Sequence, residues 1–311
     1  MPEGPEVLTT VDMMNFYMSN KIVSGMDFVS GKHHEDNPEG YDSFVESLPL
    51  KVEKVFCKGK QIVIQLSNPD DKTDKWWILN HLVMTGSWQL KCKKSDKDYI
   101  RCRIEFDPTE SYGGLDITSI DFTDVRDLGK FEFINDEDSL NSKLSEIAPG
   151  FIGDYLIDFD LFHENIRKGK KANLISKLRD QKNICSGIGN YLISEIMYDS
   201  GLSHLLKCSE LSERRIRKLY ESCKSIITLS YQKGGLSIEN YVDINGDKGG
   251  FEPFLKVYRK DGKGGRGTTD PYGNRVLSIK KGQTFWYVPG LQRTESEKEQ
   301  EDEILDISPE G

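Results

Sequence analysis

Residues 180–202 read DQKNICSGIGNYLISEIMYDSGL, and this stretch decides the fold of the second half of the chain. Its glycine-rich turn, SGIGN at 186–190, runs directly into a segment whose apolar residues have helical spacing. The first turn of a helix presents unpaired N–H groups and the positive end of the helix dipole, which together suit a phosphate. Asn190 either caps this helix or donates its amide to a phosphate oxygen. The basic run RKGKK at 167–171 favours the phosphate site over a plain turn.

Helical patterns surround this stretch, from a break at APG (148–150) to the glycines at 234–235. They are LFHENIRKGKKANLISKLRD at 161–180, GNYLISEIMYDSG at 189–201 and LSERRIRKLYESCKSIITLSYQKGG at 211–235. This region is therefore predicted to be a helical domain that ends at the two glycines.

The first half of the chain has a different pattern. A helix is predicted at 6–20, where Val7, Val11, Met14 and Met18 recur at helical spacing. Short strands then follow at KVEKVFCKGKQIVIQLS (51–67), WWILNHLVMTGSWQL (76–90), IRCRIEF (100–106), LDITSIDF (115–122) and KFEFIN (130–135). Many short strands at close spacing predict a β-sandwich or barrel.

The part of the chain after 235 is predicted to be mostly irregular. Residues 236–274 are rich in Gly, Asp, Asn and Lys, which predicts a long mobile loop. FLKVYRK (254–260) and RVLSIKKGQTFWYV (275–288) predict the two strands of a hairpin. Residues 291–311 are polar and acidic, so we expect a disordered tail.

The net charge of −9 is unevenly distributed. Residues 1–150 carry −10, residues 151–290 carry +7 and residues 291–311 carry −6. A local phosphate-binding surface needs such a basic region, although solvated charge without a partner accounts for the count equally well. No apolar run is long enough to span a bilayer, and the start lacks a signal-peptide pattern. We therefore expect an intracellular protein with no membrane partner.

The cysteines predict neither a metal site nor disulfides. They stand at positions 57, 92, 102, 185, 208 and 223, without a C-x-x-C pair and without zinc spacing to histidine. We expect reduced thiols and no metal.

The chain opens MPEGPEV (1–7). Once Met1 is removed, Pro2 carries a free secondary amine with Glu3 beside it. Taken alone, the pattern is that of a frayed terminus with Pro5 in the first turn of a helix.

Several motifs together resemble the formamidopyrimidine-DNA glycosylase/endonuclease VIII family. In chain order they are MPEGPEV, GKQIVIQL, HLVMTGSW, DVRDLG, DQKNICSGIGNYLISEIMYDSGL and QKGG…LKVY. The resemblance covers residues 2–290, and the opening PEGPE is more similar to the endonuclease VIII branch, because the other branch typically starts PELPE.

The resemblance implies an α+β multidomain fold. Its parts are an N-terminal β-sandwich catalytic domain flanked by helices (1–138), a linker (139–149), a helix–two-turn–helix DNA-binding domain (150–235), a lesion loop with a β-hairpin finger (236–290) and the acidic tail (291–311). The lesion loop includes Tyr241 and Asn245.

The resemblance also implies a base-excision-repair DNA glycosylase with AP-lyase activity by β,δ-elimination. Its substrates are oxidised pyrimidines and ring-opened or further-oxidised purines. Pro2 is the implied nucleophile, Glu3 the acid that protonates the sugar ring oxygen and Lys60 a contact to the phosphate beside the lesion. An α-amino group, with a reference pKa of about 8 against about 10.4 for lysine, is more often neutral and nucleophilic near pH 7. The plain alternative for Lys60 is an ordinary lysine on an edge strand.

An enzyme that acts at C1′ in a duplex must extrude the nucleotide, and the space it leaves must be filled. By resemblance, Met84, Arg126 and Leu128 fill it; we call them the wedge residues. Leu128 replaces the usual Phe, and Asp127 stands where a second Arg is common. We expect Asp127 to place a carboxylate near DNA and to alter the preference for the opposite base. From the residues alone, Met84 and Leu128 read as core residues.

The finger departs from the family pattern, because residues 254–292 contain no cysteine. It resembles the zincless finger of some eukaryotic and giant-virus members, and packing of Phe285, Trp286 and Tyr287 would replace the metal. Gln283 stands where relatives place a phosphate-binding Arg. Lys281, Lys280 or Arg275 would then supply the positive charge.

The expected partner is damaged double-stranded DNA, with single-stranded DNA as a further candidate, bound by a monomer without a cofactor. If the protein is eukaryotic or viral, the expected location is the nucleus or a viral factory. Gln283, Asp127 and the acidic first half leave an alternative open, a lesion- or AP-site-binding protein with weak or lost excision. A tautomerase that uses an N-terminal proline shares only Pro2 and leaves the basic helical region unexplained.

Overall fold

A computed structural model of the chain describes residues 2–90, 94–108, 117–237, 242–263 and 265–294, with the backbone alone at 94–96 and 281. It divides into two compact units. The first comprises Met1–Ile147, Ile152–Tyr155 and Ser230–Glu252, and the second comprises Ala148–Phe151, Leu156–Leu229 and Pro253–Gly311.

An eight-stranded antiparallel sheet encloses the core of the first unit. Its strands are β1 (Ile22–Phe28), β2 (Leu50–Lys58), β3 (Gln61–Ser67), β4 (Lys75–His81), β5 (Gly86–Gln89), β6 (Ile100–Phe106), β7 (Ser119–Asp124) and β8 (Lys130–Ile134). They are ordered β5-β7-β6-β1-β2-β3-β4-β8.

The two ends of this sheet meet across the core. The indole N–H of Trp88 on β5 donates to Asn80 on β4 at 3.0 Å. Phe122 on β7 contacts Phe131 on β8 edge to face, with ring centroids 5.0 Å apart. The predicted sandwich is therefore present, with both ends of one sheet packed on a shared apolar core.

The first unit also contains α1 (Gly4–Met18), α2 (Lys32–Glu35), α3 (Tyr41–Glu46) and α4 (Glu137–Ser145). The predicted helix at 6–20 corresponds to α1, whose Val7, Val11 and Met14 lie in the core. The side chain of Asn15 fixes α1 to β2, since its Oδ1 accepts the Val55 N–H at 2.7 Å. The pattern at 21–138 gave no signal for α2 or α3, and α4 occupies much of the predicted linker at 139–149.

Four helices build most of the second unit: α5 (Phe159–Lys168), α6 (Leu174–Arg179), α7 (Asn190–Ser200) and α8 (Glu213–Gln232), whose last residues belong to the first unit. The predicted helical run at 161–180 is two helices, because Asn173 starts a new one: its side chain accepts the Ser176 N–H at 3.2 Å. Among the described residues, no helix is long and apolar enough to cross a membrane.

The hairpin consists of β9 (Leu277–Lys281) and β10 (Gln283–Tyr287), so both of its strands come from the segment at 275–288. The prediction of a strand at 254–260 is wrong. The N–H groups of Lys256, Val257 and Tyr258 all donate to the carboxylate of Glu195 on α7, at 2.8, 3.0 and 2.8 Å. Donors that converge on one side chain cannot also form the ladder of a strand.

Residues 242–251 of the predicted long mobile loop at 236–274 form turns and irregular backbone, and they make specific contacts with the first unit; the mobility of the loop stays a prediction. Ile244 is buried in the core of the first unit, and its carbonyl accepts the Leu90 N–H at 3.2 Å. The Phe251 N–H donates to Gly235 at 3.0 Å. These bonds explain why residues 230–252 belong with the sandwich instead of the helical domain. Tyr241 and the tail beyond 294 lie outside the described residues.

Candidate active site

Pro2 and Glu3 stand at the start of α1, and both are buried. Glu3 is the N-cap residue and forms a capping box with Glu6, whose Oε2 accepts the Glu3 N–H at 2.7 Å. The proline that resembles the family nucleophile therefore precedes a residue whose backbone is fixed. The plain reading as a frayed terminus does not describe this segment.

Glu6 was not among the residues predicted from the sequence, yet it connects two parts of the site. Its Oε1 accepts the Leu236 N–H at 2.6 Å, while its Oε2 holds Glu3. Gly235 has φ +79, and a Cβ atom there would lie 2.5 Å from Glu6 Oε1. Gly235 thus permits the approach to Glu6 besides following the end of α8. The Glu-x-x-Glu spacing at 3–6 was the available signal.

Tyr231, near the end of α8, adds a second connection to α1. Its hydroxyl donates to Asp12, and this bond, together with burial, raises the pKa of Tyr231 to about 12. The segment at 230–236 is therefore held to α1 at both Asp12 and Glu6.

Lys60 lies in the tight turn between β2 and β3, where Gly59 has φ +60. Both strands are interior in the sheet, so the alternative of an edge-strand lysine is excluded. Lys60 is only 7% exposed. Its charge acts on His81, which pairs with Gln61 across β3 and β4. Burial, with the charges of Lys60 and Lys130, lowers the pKa of His81 to about 4.

His81 is consequently neutral near pH 7 and accepts a hydrogen bond. Its Nδ1 accepts the Val83 N–H at 3.0 Å. Val83 has φ +53, an uncommon conformation for a β-branched residue, and strain of this kind is typical of functional sites. This strained turn presents Met84.

The three wedge residues are on the surface, not in the core. Met84 is 39% exposed, Leu128 is 38% exposed and Arg126 is exposed. A guanidinium nitrogen of Arg126 lies 3.1 Å from the sulfur of Met84. The structure therefore brings together two loops that are about 40 residues apart in sequence, and it leaves apolar side chains exposed at both tips.

Asp127 is engaged within the first unit. Its carboxylate accepts the Lys32 N–H at 2.7 Å and lies 3.8 Å from the guanidinium of Arg101. Asp127 itself has φ +52, which turns its side chain toward the start of α2. These partners partly neutralise the carboxylate that we expected near DNA, and its effect on the opposite base stays a prediction.

In the second unit, α7 begins at Asn190 and its N-cap is Gly189. Asn190 therefore does not cap the helix, and of the two predicted roles only donation to a phosphate remains. Its Oδ1 accepts from Arg179 at 2.8 Å, so the amide nitrogen is the atom that would donate to a phosphate.

Gln181, another residue without a predicted role, shapes the turn before α7. Its Oε1 accepts the Gly187 N–H at 2.7 Å, and its amide donates to the carbonyl of Ile188 at 2.9 Å. The glycine-rich turn thus has a defined form that depends on the Gln of the DQKN motif.

Comparison with known proteins identifies the family of the chain. The family model of the formamidopyrimidine-DNA glycosylase N-terminal domain, built from sequences, matches residues 1–131. The formamidopyrimidine-DNA glycosylase of Mycoplasma mobile is 30% identical over 265 residues, which cover 85% of this chain and 89% of the relative. That of Carboxydothermus hydrogenoformans is 31% identical over 205 residues, covering 66% and 68%. The chain belongs to the formamidopyrimidine-DNA glycosylase family.

Solved structures of the family share the fold and confirm the predicted fold class. A Lactococcus lactis FPG mutant in complex with a DNA containing Fapy-dG superposes with a TM-score of 0.77 at 21% identity, over 94% of this chain and 100% of that chain. The Lactococcus lactis Fpg in complex with an abasic-site DNA gives a TM-score of 0.76 at 21% identity, with the same coverage. Enzymes of this family are DNA glycosylases of base excision repair.

The match of the formamidopyrimidine-DNA glycosylase N-terminal domain spans Pro2, Glu3, Lys60 and all three wedge residues, whereas the finger lies beyond it. Gln283 is exposed, and Lys281 pairs with it across Gly282 at the tip of the hairpin. The side chain of Lys281 lies outside the described residues.

Aromatic side chains of the hairpin pack against their neighbours, and their replacement of a metal stays a prediction. Phe285 and Trp286 are buried, Trp286 packs on Tyr258 with centroids 4.7 Å apart, and Tyr287 packs on His204 at 4.6 Å. In the part of the chain that the structure describes, no cluster of three or more His, Cys, Asp or Glu residues could hold a metal. The five described cysteines are free and buried.

Asn245 of the predicted lesion loop is exposed and accepts from the hydroxyl of Tyr17 on α1 at 2.9 Å. The predicted lesion loop thus contacts α1 twice, near the last turn through Asn245 and in the first turn through the bond of Leu236 to Glu6.

Proposed function

We propose that this protein is a bifunctional DNA glycosylase and AP lyase that excises oxidised pyrimidines, and secondarily ring-opened or further-oxidised purines, through its N-terminal proline. The observation that carries the proposal is the arrangement of Pro2, Glu3 and Glu6. Two backbone donors, at Glu3 and Leu236, are fixed on the carboxylate of Glu6, so the residue that follows the proposed nucleophile is held in place. Family membership supplies the reaction class.

The chemistry begins at the nitrogen of Pro2. After removal of Met1, the neutral secondary amine attacks C1′, the base leaves with the bonding electrons, and the proton lost from the amine neutralises the departing base. Glu3 protonates the ring oxygen, the sugar opens and an iminium ion forms between Pro2 and C1′. The iminium makes the C2′ hydrogen acidic, so loss of that proton expels the 3′ phosphate. A second elimination then expels the 5′ phosphate, and hydrolysis of the iminium releases Pro2.

The remaining residues position the DNA. Lys60 binds a phosphate beside the lesion from the turn between β2 and β3, and Asn190 donates to a backbone phosphate from the start of α7. Met84 and Leu128 enter the space that the extruded nucleotide leaves, and Arg126 hydrogen-bonds the orphaned base.

We further propose that the protein belongs to an endonuclease VIII-like subtype with a zincless finger. Support comes from the cysteine-free segment at 254–292, from the aromatic packing of the hairpin and from the opening PEGPE. The relatives described above carry the formamidopyrimidine-DNA glycosylase name, so substrate preference is the property that separates the two assignments.

A lesion panel under single-turnover conditions tests the proposal. Duplexes carry one oxidised pyrimidine, one ring-opened purine, one 8-oxo-purine or one abasic site, and base release and strand cleavage are measured separately. We expect faster release of the oxidised pyrimidine and cleavage to β,δ products. Preference for the 8-oxo-purine would contradict the subtype.

The binding-only alternative rests on Gln283, which lacks the charge of the usual Arg. It predicts tight binding to the abasic duplex without base release from any member of the panel. Release of any lesion base at a rate above the Glu3→Gln variant excludes it.

A further inference from the structure

Asp124, the last residue of β7, is fully buried and directly precedes the loop that carries Arg126 and Leu128. Its Oδ2 accepts the N–H groups of Leu128 and Gly129, each at 2.7 Å. Its Oδ1 accepts the Arg126 N–H at 3.1 Å. One carboxylate therefore fixes the backbone of this loop at Arg126 and Leu128, the two wedge residues that the loop carries.

The same carboxylate reaches the other loop. The hydroxyl of Thr85, the residue after Met84, donates to Asp124 Oδ1. Thr85 Oγ1 in turn accepts the Arg126 N–H at 3.2 Å. The hydroxyl of Thr85 is thus a direct link between the turn that presents Met84 and the loop that presents Arg126.

Two glycines allow both loops to lie close to one buried ring. A Cβ atom at Gly86 or at Gly129 would lie 2.7 Å from the ring of Phe122, which is buried beneath both. Since neither position accepts a side chain, the backbones lie directly on that ring. Both wedge loops are therefore closely packed on the same buried side chain.

We propose that Asp124 and Thr85 are positioning residues that join the two wedge loops into one preorganised element, so that Met84, Arg126 and Leu128 enter the DNA together. This proposal rests on the proposed function. It assigns the coupling to the hydroxyl of Thr85 and to the carboxylate that receives it, and neither group touches the reacting atoms.

Preorganisation has a kinetic consequence. A wedge whose halves move independently must be ordered during extrusion, and the ordering cost then falls on nucleotide flipping and not on the later covalent steps. An abasic site in a single strand needs no wedge, because it has no partner base to separate. Loss of the Thr85 link should thus slow the reaction on duplexes only.

The test compares Thr85→Val, Thr85→Ser and a control, Thr123→Val. Thr123 is a buried threonine on the same strand as Asp124, and its hydroxyl donates to the carbonyl of Ser87 at 3.3 Å instead. Extrusion is followed by the fluorescence of a base analogue beside the lesion in stopped flow. Covalent competence is followed by borohydride trapping on single-stranded abasic DNA.

We expect Thr85→Val to slow extrusion by about tenfold, the loss expected for one hydrogen bond to a charged group. Trapping on the single strand should stay within about twofold of wild type, since no wedge acts there. Thr85→Ser should restore extrusion, and Thr123→Val should leave it unchanged.

Three results would overturn the proposal: unchanged extrusion in Thr85→Val, equal impairment of Thr85→Val and Thr85→Ser, or a parallel loss of single-strand trapping in Thr85→Val. A wild-type protein that extrudes the nucleotide but is never trapped contradicts the proposed lyase activity and leaves the wedge test intact.

Discussion

Glu6 holds the start of α1 by two hydrogen bonds, and both donors are backbone N–H groups without rotational freedom. A carboxylate suits this position because each oxygen faces a donor. Replacing one oxygen with an amide nitrogen sets donor against donor. The geometry around Pro2 therefore depends on a residue that never contacts substrate in the proposed reaction.

We predict that Glu6→Gln lowers stability by about 1–3 kcal/mol, the usual cost of leaving a buried polar group unsatisfied. It should also lower the rate of iminium formation by at least about tenfold, because a small displacement of a nucleophile is costly. Thermal unfolding and the rate of borohydride trapping measure the two effects. Glu46→Gln is the control, since Glu46 is exposed on α3. Equal behaviour of the two variants would contradict the role of Glu6.

His81 gives the stability a defined pH dependence. Its pKa is lowered from 6.5 to about 4 in the folded chain, so the unfolded chain binds more protons between these values. The contribution of His81 to the free energy of unfolding is therefore fully present above about pH 6.5 and is lost as the pH falls toward 4.

We predict that the melting temperature of wild type falls more between pH 7 and pH 5 than that of His81→Gln, which has no titratable group but keeps an acceptor for the Val83 N–H. Melting curves of both proteins at the two pH values measure the difference. Parallel curves would show that His81 titrates alike in the folded and unfolded chains.

Three side chains on one face of helix α7 bind segments that follow later in the chain. Glu195 accepts three N–H groups of residues 256–258, the Tyr198 hydroxyl donates to Asp270 at 2.9 Å, and Asp199 pairs with Lys256 at 2.8 Å. Asp270 in turn accepts the N–H groups of Tyr272 and Asn274 at 2.9 and 2.8 Å. These side chains connect α7 to the segments before the hairpin.

We predict that Tyr198→Phe destabilises the protein by about 1–3 kcal/mol, because Asp270 loses a buried donor. Tyr272→Phe removes the same atom from a side chain that is 82% exposed, and it should have no measurable effect. Chemical denaturation measures both variants. A chelator should leave the wild-type transition unchanged, since side chains and not a metal are proposed to stabilise the finger.

The tip of the hairpin is the element in which a single charge should change DNA binding. Gln283 is exposed at the start of β10, where a guanidinium can reach a phosphate without disturbing the core. We predict that Gln283→Arg tightens binding to lesion duplexes and increases the slope of log K against log salt by about one. Binding titrations over a range of salt concentrations measure this slope. An unchanged slope would place Gln283 away from the DNA backbone.

Helices with a clear local pattern of apolar residues could be predicted from the sequence. Periodicity located α1, α7 and α8, and the glycine pair at 234–235 follows the end of α8. The strand predicted at 254–260 failed because its apolar pattern is the same whether its N–H groups pair with a strand or with Glu195, about 60 residues earlier. The roles of Glu6, Gln181 and Asp124 were likewise missed, since their partners are defined by the fold and not by spacing.

At the scale of the whole molecule, segments that are far apart in the sequence belong to the same compact unit. Residues 230–252 return to the first unit after the helices of the second, through contacts of Glu6, Asp12 and the core with Leu236, Tyr231 and Ile244. Family resemblance supplied most of the candidate site residues, whose roles stay predictions, and it divided the chain at 235. Only the three-dimensional contacts show that the segment after α8 belongs with the start of α1.

The nitrogen of Pro2 is the proposed nucleophile, and blocking that nitrogen tests this role without any substitution. The protein is prepared with a cleavable N-terminal extension that places Pro2 nitrogen in an amide, and each form is treated with borohydride on abasic DNA before and after cleavage. We predict no covalent adduct with the extension in place and a stoichiometric adduct after cleavage, with the added mass mapped to Pro2. Trapping of the uncleaved protein, or an adduct mapped to a lysine, would contradict the account.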